Sequence, residues 1–345
     1  MPHPRRMKEI QVIVRALATS GPTAGPQVLA TLVTVAGSSY RRPGARLLLT
    51  AEGQRLGSIS GGCLEEDVLA RARHVATTGR AELITYDTSA ENDLVWGVGL
   101  GCHGVVQIFL ERISGPPAWA ITLAANLAAR RPTPLAVVWQ AGDPAQLGTR
   151  FATELPREPE MKATPAPGIF LDTISPPPAL FIFGAGDDAQ PLARLAKELG
   201  WHITVSDVRA AFATEARFPL ADTLIVAPAA ELAARASPPA DALAVVMTHH
   251  YVHDLPVLGE LLRRPLAYLG LLGPRKRAEQ ILADLARDSP SISPAPRARL
   301  HAPVGLDLGA DTPEEVALSI LAEMRAVLAG RDAHPLRERT RPIHE

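Results

Sequence analysis

The chain has 345 residues, 47% hydrophobic and 21% charged, with a formal net charge of −1. That length suits about two domains, and that composition excludes a disordered chain. The near-zero charge gives no electrostatic footprint for nucleic acid or an anionic membrane, and two cysteines are too few for a disulfide framework.

In chain order, Glu9 to Thr19 reads as a short amphipathic helix closed by Gly21-Pro22. Arg15 interrupts the opening apolar stretch, so no secretory signal is expected there. No later apolar run approaches the ~18 residues of a spanning helix. A cytoplasmic protein is the expectation. Val28 to Val35 and Arg46 to Thr50 read as strands around a turn-rich connector, Gly37 to Gly44. A third strand near Arg55 to Ser60 runs into Gly61-Gly62-Cys63 and then a helical stretch, Leu64 to Thr77. Leu83 to Tyr86 and Val105 to Leu110 complete a sheet, and Ala118 to Ala129 (helix) and Leu135 to Trp139 (strand) follow.

Prolines crowd Pro156 to Pro178, which argues against helix or inner strand and predicts an interdomain linker. Beyond it, Leu180 to Phe183, Ile203 to Val205, Thr223 to Val226, Leu243 to Met247 and Ala267 to Leu271 alternate with helical patterns. Such alternation predicts a parallel sheet with helices on both faces. Thr312-Pro313-Glu314-Glu315 carries a capping-box signature for a last helix. The fold class is therefore α/β: a smaller α+β domain (1–155), a linker (156–178), a Rossmann-like domain (179–330) and a tail (331–345).

Gly184-Ala185-Gly186-Asp187-Asp188-Ala189 follows a strand and opens a helix, as a dinucleotide fingerprint requires. Asp207, closing the next strand, is placed to bind a ribose hydroxyl, so NAD(P) is a candidate ligand. Against this, Asp187 and Asp188 would repel a pyrophosphate by about 3 kcal/mol per charge pair at ~5 Å and an effective dielectric near 20. His249 and Arg275 lie just past later strands, where an open α/β sheet forms its ligand crevice. A solvated loop and a charged first turn are the plain alternatives for these two.

Cys63 sits where a Gly-Gly turn meets a helix start, a setting that favours a thiolate for metal or sulfur chemistry. Cys102 lies in Gly99-Leu100-Gly101-Cys102-His103-Gly104, where glycines let a ligand approach the backbone. An inert buried cysteine is the alternative for each. The lack of C-x-x-C spacing argues against a four-ligand structural zinc site.

The stretches Gly37-Ser38-Ser39 through Gly44-Ala45, Ser60-Gly61-Gly62-Cys63-Leu64-Glu65 and Gly99-Leu100-Gly101-Cys102 resemble the XdhC/CoxI maturation factors of molybdenum hydroxylases. So do the loop at Gly184, Tyr268 to Gly273, and His301 to Ala310. The resemblance implies a protein that binds molybdenum cofactor, as the mononucleotide or dinucleotide form, and assists its sulfuration with a cysteine desulfurase. Delivery to an apo molybdenum hydroxylase of the xanthine or carbon monoxide dehydrogenase type would follow, with the chain acting as a homodimeric accessory protein rather than a catalyst. Cys63 and Cys102 would contact the metal, Gly61 and Gly62 would let the ligand close, and Arg41, Arg42 and Arg46 would hold its phosphate. Gly184, Gly186, Asp207, His249 and Arg275 would line a nucleotide site. Tyr40, Asp187 and His103 depart from the family pattern. An NAD(P)-dependent oxidoreductase and a regulatory nucleotide-binding module are the competing readings.

Overall fold

A computed structural model describes residues 7–21, 24–87, 104–155, 168–288 and 299–340. The chain divides into two compact units, Met1–Pro176 and Pro177–Glu345.

The first unit contains the helices α1 (Met7–Thr19), α2 (Glu65–Thr78) and α3 (Ala118–Ala128). Its main sheet is antiparallel, in the order β3 (Arg55–Gly57), β2 (Arg46–Leu49), β1 (Gln27–Gly37), β5 (Gly104–Ile113), β4 (Glu82–Asp87). The central strand β1 is apolar almost throughout because both of its faces are covered. Val28, Ala30 and Leu32 pack with Val68, Ala72 and Val75 of α2. On the other face Leu29 packs with Ile13 and Leu17 of α1 and with Trp119 and Leu123 of α3.

A second sheet has the order β7 (Gly148–Phe151), β6 (Thr133–Gln140), β8 (Gly168–Ile174). Strand β8 corrects the expected linker. It lies inside the proline-rich stretch, yet between Pro167 and Pro176 the chain has no proline, so every residue keeps its N–H for the ladder with β6. As an edge strand it is compatible with prolines at either end. The remainder of that stretch, 156–167, lies outside the described residues.

The second unit is a six-stranded parallel sheet in the order β11 (Thr223–Val226), β10 (His202–Asp207), β9 (Ala179–Phe183), β12 (Leu243–Val246), β13 (Tyr268–Leu271), β14 (Leu300–His301). Helices α4 (Ala189–Glu198) and α8 (Pro313–Ala329) cover Leu180, Ile182 and Val245 on one face. On the other, α5 (Ala229–Ala236), α6 (Tyr251–Leu261) and α7 (Arg275–Asp288) cover Phe181, Phe183 and Val246. The chain runs outward from β9 through β10 to β11, then returns to the other side of β9 with β12. The adjacent C-terminal ends of β9 and β12 therefore form a topological switch point, the usual ligand crevice of such a sheet.

The capping box at the last helix forms as its residues require: the Thr312 hydroxyl accepts from the Glu315 N–H, and Glu315 Oε2 accepts from the Thr312 N–H.

Candidate functional site

In the first unit, Cys63 is a free, exposed thiol in the turn that enters α2. The turn is held by Glu65, whose side chain points back into the protein and is only 3% exposed. Glu65 Oε1 accepts from the N–H groups of Ser60 (2.8 Å) and Ile59 (3.3 Å), with the Ser58 hydroxyl at 3.1 Å. Glu65 Oε2 accepts from the Ser60 hydroxyl, which in turn accepts from the N–H groups of Gly62 (3.1 Å) and Leu64 (3.2 Å). The backbone N–H groups of the two residues flanking Cys63 are thus tied to one buried carboxylate through one serine. Burial pulls the Glu65 carboxyl up, but the Ser60 and Ser58 donors outweigh it and hold it low.

Gly62 has φ +118°, which favours glycine, and a Cβ there would meet nothing within 4 Å. The Tyr40 ring lies against Gly61. Arg41 forms an ion pair with Glu9, and Arg46 is 4% exposed and paired with Asp172 at 2.8 Å. Of the three arginines expected to hold the phosphate, Arg46 is part of the interior and Arg41 has an anionic partner in the chain. Arg42 is half-buried beside them. Cys102, with its glycine-rich loop and His103, lies outside the described residues.

In the second unit, the Gly184 loop sits at the switch point. A Cβ on Gly184 would lie 2.4 Å from the Met247 carbonyl oxygen, so only glycine lets this loop press onto the end of β12. A Cβ on Gly186 would lie 2.7 Å from Asp188 Oδ1, so it would push aside the carboxylate that pairs with His249 rather than meet backbone. The two acidic residues of the loop each have a side-chain partner. Asp187 pairs with Arg217 at 2.8 Å and Asp188 with His249 Nε2 at 2.7 Å. The expected bare repulsion of a pyrophosphate therefore needs correction: the Asp187 charge is paired with a guanidinium, and the Asp188 charge is offset whenever His249 is protonated.

Asp207 corrects a second expectation. It is 2% exposed, and its Oδ2 accepts from the Ala185 N–H (2.7 Å) and Arg209 Nη2 (2.8 Å). Its Oδ1 accepts from the backbone N–H (2.8 Å) and Nε (2.9 Å) of Arg209. With both oxygens occupied, Asp207 cannot bind a ribose hydroxyl unless Arg209 leaves. Burial raises the Asp207 carboxyl, but Arg209 and the Ala185 N–H bring it below its ordinary value. The Arg209 guanidinium also stacks on Phe212 at 3.7 Å, which further fixes it.

His249 itself is held in the left-handed region, with φ +60°. Beside it, the Thr248 hydroxyl donates to Asp254 Oδ1 at 2.6 Å, and Arg277 donates to Asp254 Oδ2. Arg275 is exposed at the start of α7, and Arg277, not Arg275, reaches this cluster. The structure thus joins Gly184, Gly186, Asp207 and His249 through Asp188 and the Ala185 N–H. Asp254 and Arg277 stand in the sequence stretches already singled out after the fourth and fifth strands of the second unit, but their pairing was not legible there; Arg217 was missed, because its partner Asp187 is 30 residues away. Among the described residues no group of three or more acidic, histidine or cysteine side chains could hold a metal ion.

The Asp188 hydrogen bond, followed by its charge, raises the His249 pKa against the opposing effect of burial. A raised folded pKa means that this pair stabilises the fold fully below the unfolded value of ~6.5, with the contribution lost as pH rises through the folded value. Asp188→Asn is expected to shift the His249 titration, followed by NMR, to lower pH. An unchanged midpoint would show that the pair does not exist in solution.

The His301 motif has a structural role. Glu323 of α8 accepts from the Tyr268 hydroxyl, pairs with His301 Nδ1 at 3.0 Å, and accepts from the Gly305 N–H at 2.9 Å. The Tyr268 and His301 rings stack at 4.4 Å. This knot fastens α8 to the β13–β14 edge of the sheet.

Fold and site together define a Rossmann protein preceded by an antiparallel α+β unit that presents a thiol at a glycine turn. Residues 23–87 match the XdhC and CoxI family, and residues 180–324 match the XdhC Rossmann domain. The chain is 37% identical over 315 residues to a probable xanthine dehydrogenase subunit of Bacillus subtilis (strain 168), covering 86% of this chain and 92% of that protein. It is 27% identical over 301 residues to the molybdenum cofactor insertion chaperone PaoD of Escherichia coli (strain K12), covering 87% and 83%. The crystal structure of a xanthine dehydrogenase from Bacillus halodurans matches with a TM-score of 0.77 at 29% identity, over 95% of this chain and 99% of that one. The chain belongs to the XdhC and CoxI family. Among the described residues, no helix is long and apolar enough to cross a membrane.

Proposed function

We propose that this protein is a maturation factor that binds molybdenum cofactor, supports its sulfuration with a cysteine desulfurase, and delivers it to an apo molybdenum hydroxylase. The observation that carries the reading is the exposed Cys63 on a turn fixed by Glu65 and Ser60. The similarity to an insertion chaperone supports the same reading. When bound, the cofactor supplies a soft, sulfur-ligated metal, which a thiolate matches as donor. Cys63 serves as that donor or as the sulfur relay, and the open space over Gly62 lets a bulky ligand approach the backbone. Glu65 and Ser60 keep the thiol outward, so that it need not be ordered when the ligand arrives. Cys102 is included in the proposal as a second thiol, and a homodimer as the working assembly.

An NAD(P)-dependent oxidoreductase has less support, because the acidic residue that would read the ribose is already saturated by Arg209.

The test is to purify the protein from cells that make the cofactor and assay released pterin and molybdenum. Cys63→Ala is expected to lower retention by roughly tenfold or more, equivalent to about 1.4 kcal/mol. Its thermal stability should stay within ~0.5 kcal/mol of wild type, since an exposed thiol leaves no cavity. Cys102→Ala and the double variant complete the series, with reconstitution of an apo-hydroxylase as second readout. Full reconstitution by all three would remove the cysteines from the mechanism.

A further inference from the structure

Tyr40 has no part in the proposal above, yet it is a large aromatic side chain left 64% exposed. A Cβ placed on Gly61 would lie 3.6 Å from Cγ, 3.6 Å from Cδ1 and 3.7 Å from Cδ2 of the ring. Nearly equal distances to three ring atoms mean that Gly61 meets the plane of the ring rather than its edge. One face of Tyr40 is therefore backed by the glycine turn, and the exposure belongs largely to the opposite face. The backing is firm, because the peptide groups of Ser60 and Gly62, on either side of Gly61, are both tied into the Glu65–Ser60 network. Gly61 has no positive φ, and a Cβ there would make only ordinary contacts, so backbone geometry alone does not call for glycine.

We infer that Tyr40 is a stacking plate for a flat, nitrogen-rich heteroaromatic ring that lands beside Cys63; this rests on the maturation reading. A ring held face to face against a fixed aromatic plate gains stacking energy with little ordering cost, because the plate is already placed. The neighbouring thiol sits two residues beyond the glycine that backs the plate, so ring and soft donor can serve one ligand. Two parts of such a cofactor have the required chemistry: the pterin ring, and the base of a nucleotide joined to it.

The experiment titrates the full chain into 6-hydroxymethylpterin, followed by quenching of pterin fluorescence, and into CDP and GDP, followed by calorimetry. Tyr40→Phe keeps the plate and should bind within about twofold of wild type. Tyr40→Leu keeps apolar cover over Gly61 but has no ring face, and should bind roughly tenfold more weakly, in line with stacking contributions of ~1–3 kcal/mol per ring. Matched thermal unfolding of the two variants separates stacking from a structural role. Saturable, Tyr40-dependent binding of the pterin assigns the plate to the pterin ring, and of a nucleotide alone to the base. Equal binding by wild type and Tyr40→Leu overturns the inference, as does absence of saturable binding by all three probes. Tyr40-dependent ring binding in a protein that retains no molybdenum cofactor in cells would leave the plate standing and remove the maturation reading.

Discussion

Asp254→Ala is expected to destabilise the second unit by about 3–5 kcal/mol, the usual consequence of removing one partner from a buried ion pair. Asp254 is fully buried, and its two oxygens take the Thr248 hydroxyl and the Arg277 guanidinium. Its loss leaves a guanidinium whose side chain is 19% exposed without its carboxylate, and leaves the Thr248 hydroxyl only its weaker bonds to the His250 backbone in the turn that carries His249. Asp254→Asn preserves an acceptor for Thr248 and should cost less than alanine. Pairing Asp254→Ala with Arg277→Met should recover part of the loss, since the stranded charge is then gone as well. Hydrogen exchange at β12 and α6 under increasing urea reads the second unit directly. A loss below ~1 kcal/mol for Asp254→Ala would mean that water readily replaces the carboxylate and that the cluster is loosely held.

The second large effect is expected at Glu65. The amide of Glu65→Gln presents an NH2 where two backbone N–H groups and two hydroxyls now converge on carboxylate oxygens. At least one buried donor then faces another donor, at a cost of roughly 1–3 kcal/mol. The pH dependence gives an independent check. A carboxyl whose folded pKa is depressed contributes stability above its unfolded value, ~4.3, and that contribution is lost as pH falls through the folded value. Glu65→Gln should therefore flatten the acid limb of the stability profile as well as lower its plateau. Faster protease cleavage within Ser58–Leu64 would show that the turn itself has loosened. A variant with wild-type stability at pH 7 and an unchanged acid limb would remove Glu65 from the support of the thiol.

Much of the architecture was legible because burial leaves a local imprint. The short apolar runs of the second unit predict a parallel sheet, and the Thr312–Glu315 spacing predicts the start of α8. Strand β8 was obscured because proline density was read over the whole stretch instead of between the prolines. At the sites, residues were easier to identify than their roles. The repulsion expected from Asp187 and Asp188 depends on what faces them, and their partners Arg217 and His249 are 30 and 61 residues away in the chain. Asp207 was mistaken for a ribose acceptor although Arg209, two residues on, is the group that saturates it. Glu65 stands in the Ser60 to Glu65 motif, but its role was hidden because its bonds reach back to a serine five residues upstream, outside the three-residue period of a capping box.

The knot at Glu323 also bears on how the second unit comes to be made. Strand β9 emerges early, but the face formed by Leu180 and Ile182 shares its apolar contacts with Ala317, Ile320 and Met324 of the last helix. A ribosome-bound chain that ends before residue 313 lacks all of α8, so that side of the sheet has only α4 over it and stays partly wet while β9 to β13 are already available to pair. Contacts of such long sequence separation form slowly, and an uncovered apolar face is prone to associate with others in the meantime. Nascent chains arrested just short of α8 should therefore recruit holding chaperones, and those extended past Glu323 by enough residues to clear the exit tunnel should release them.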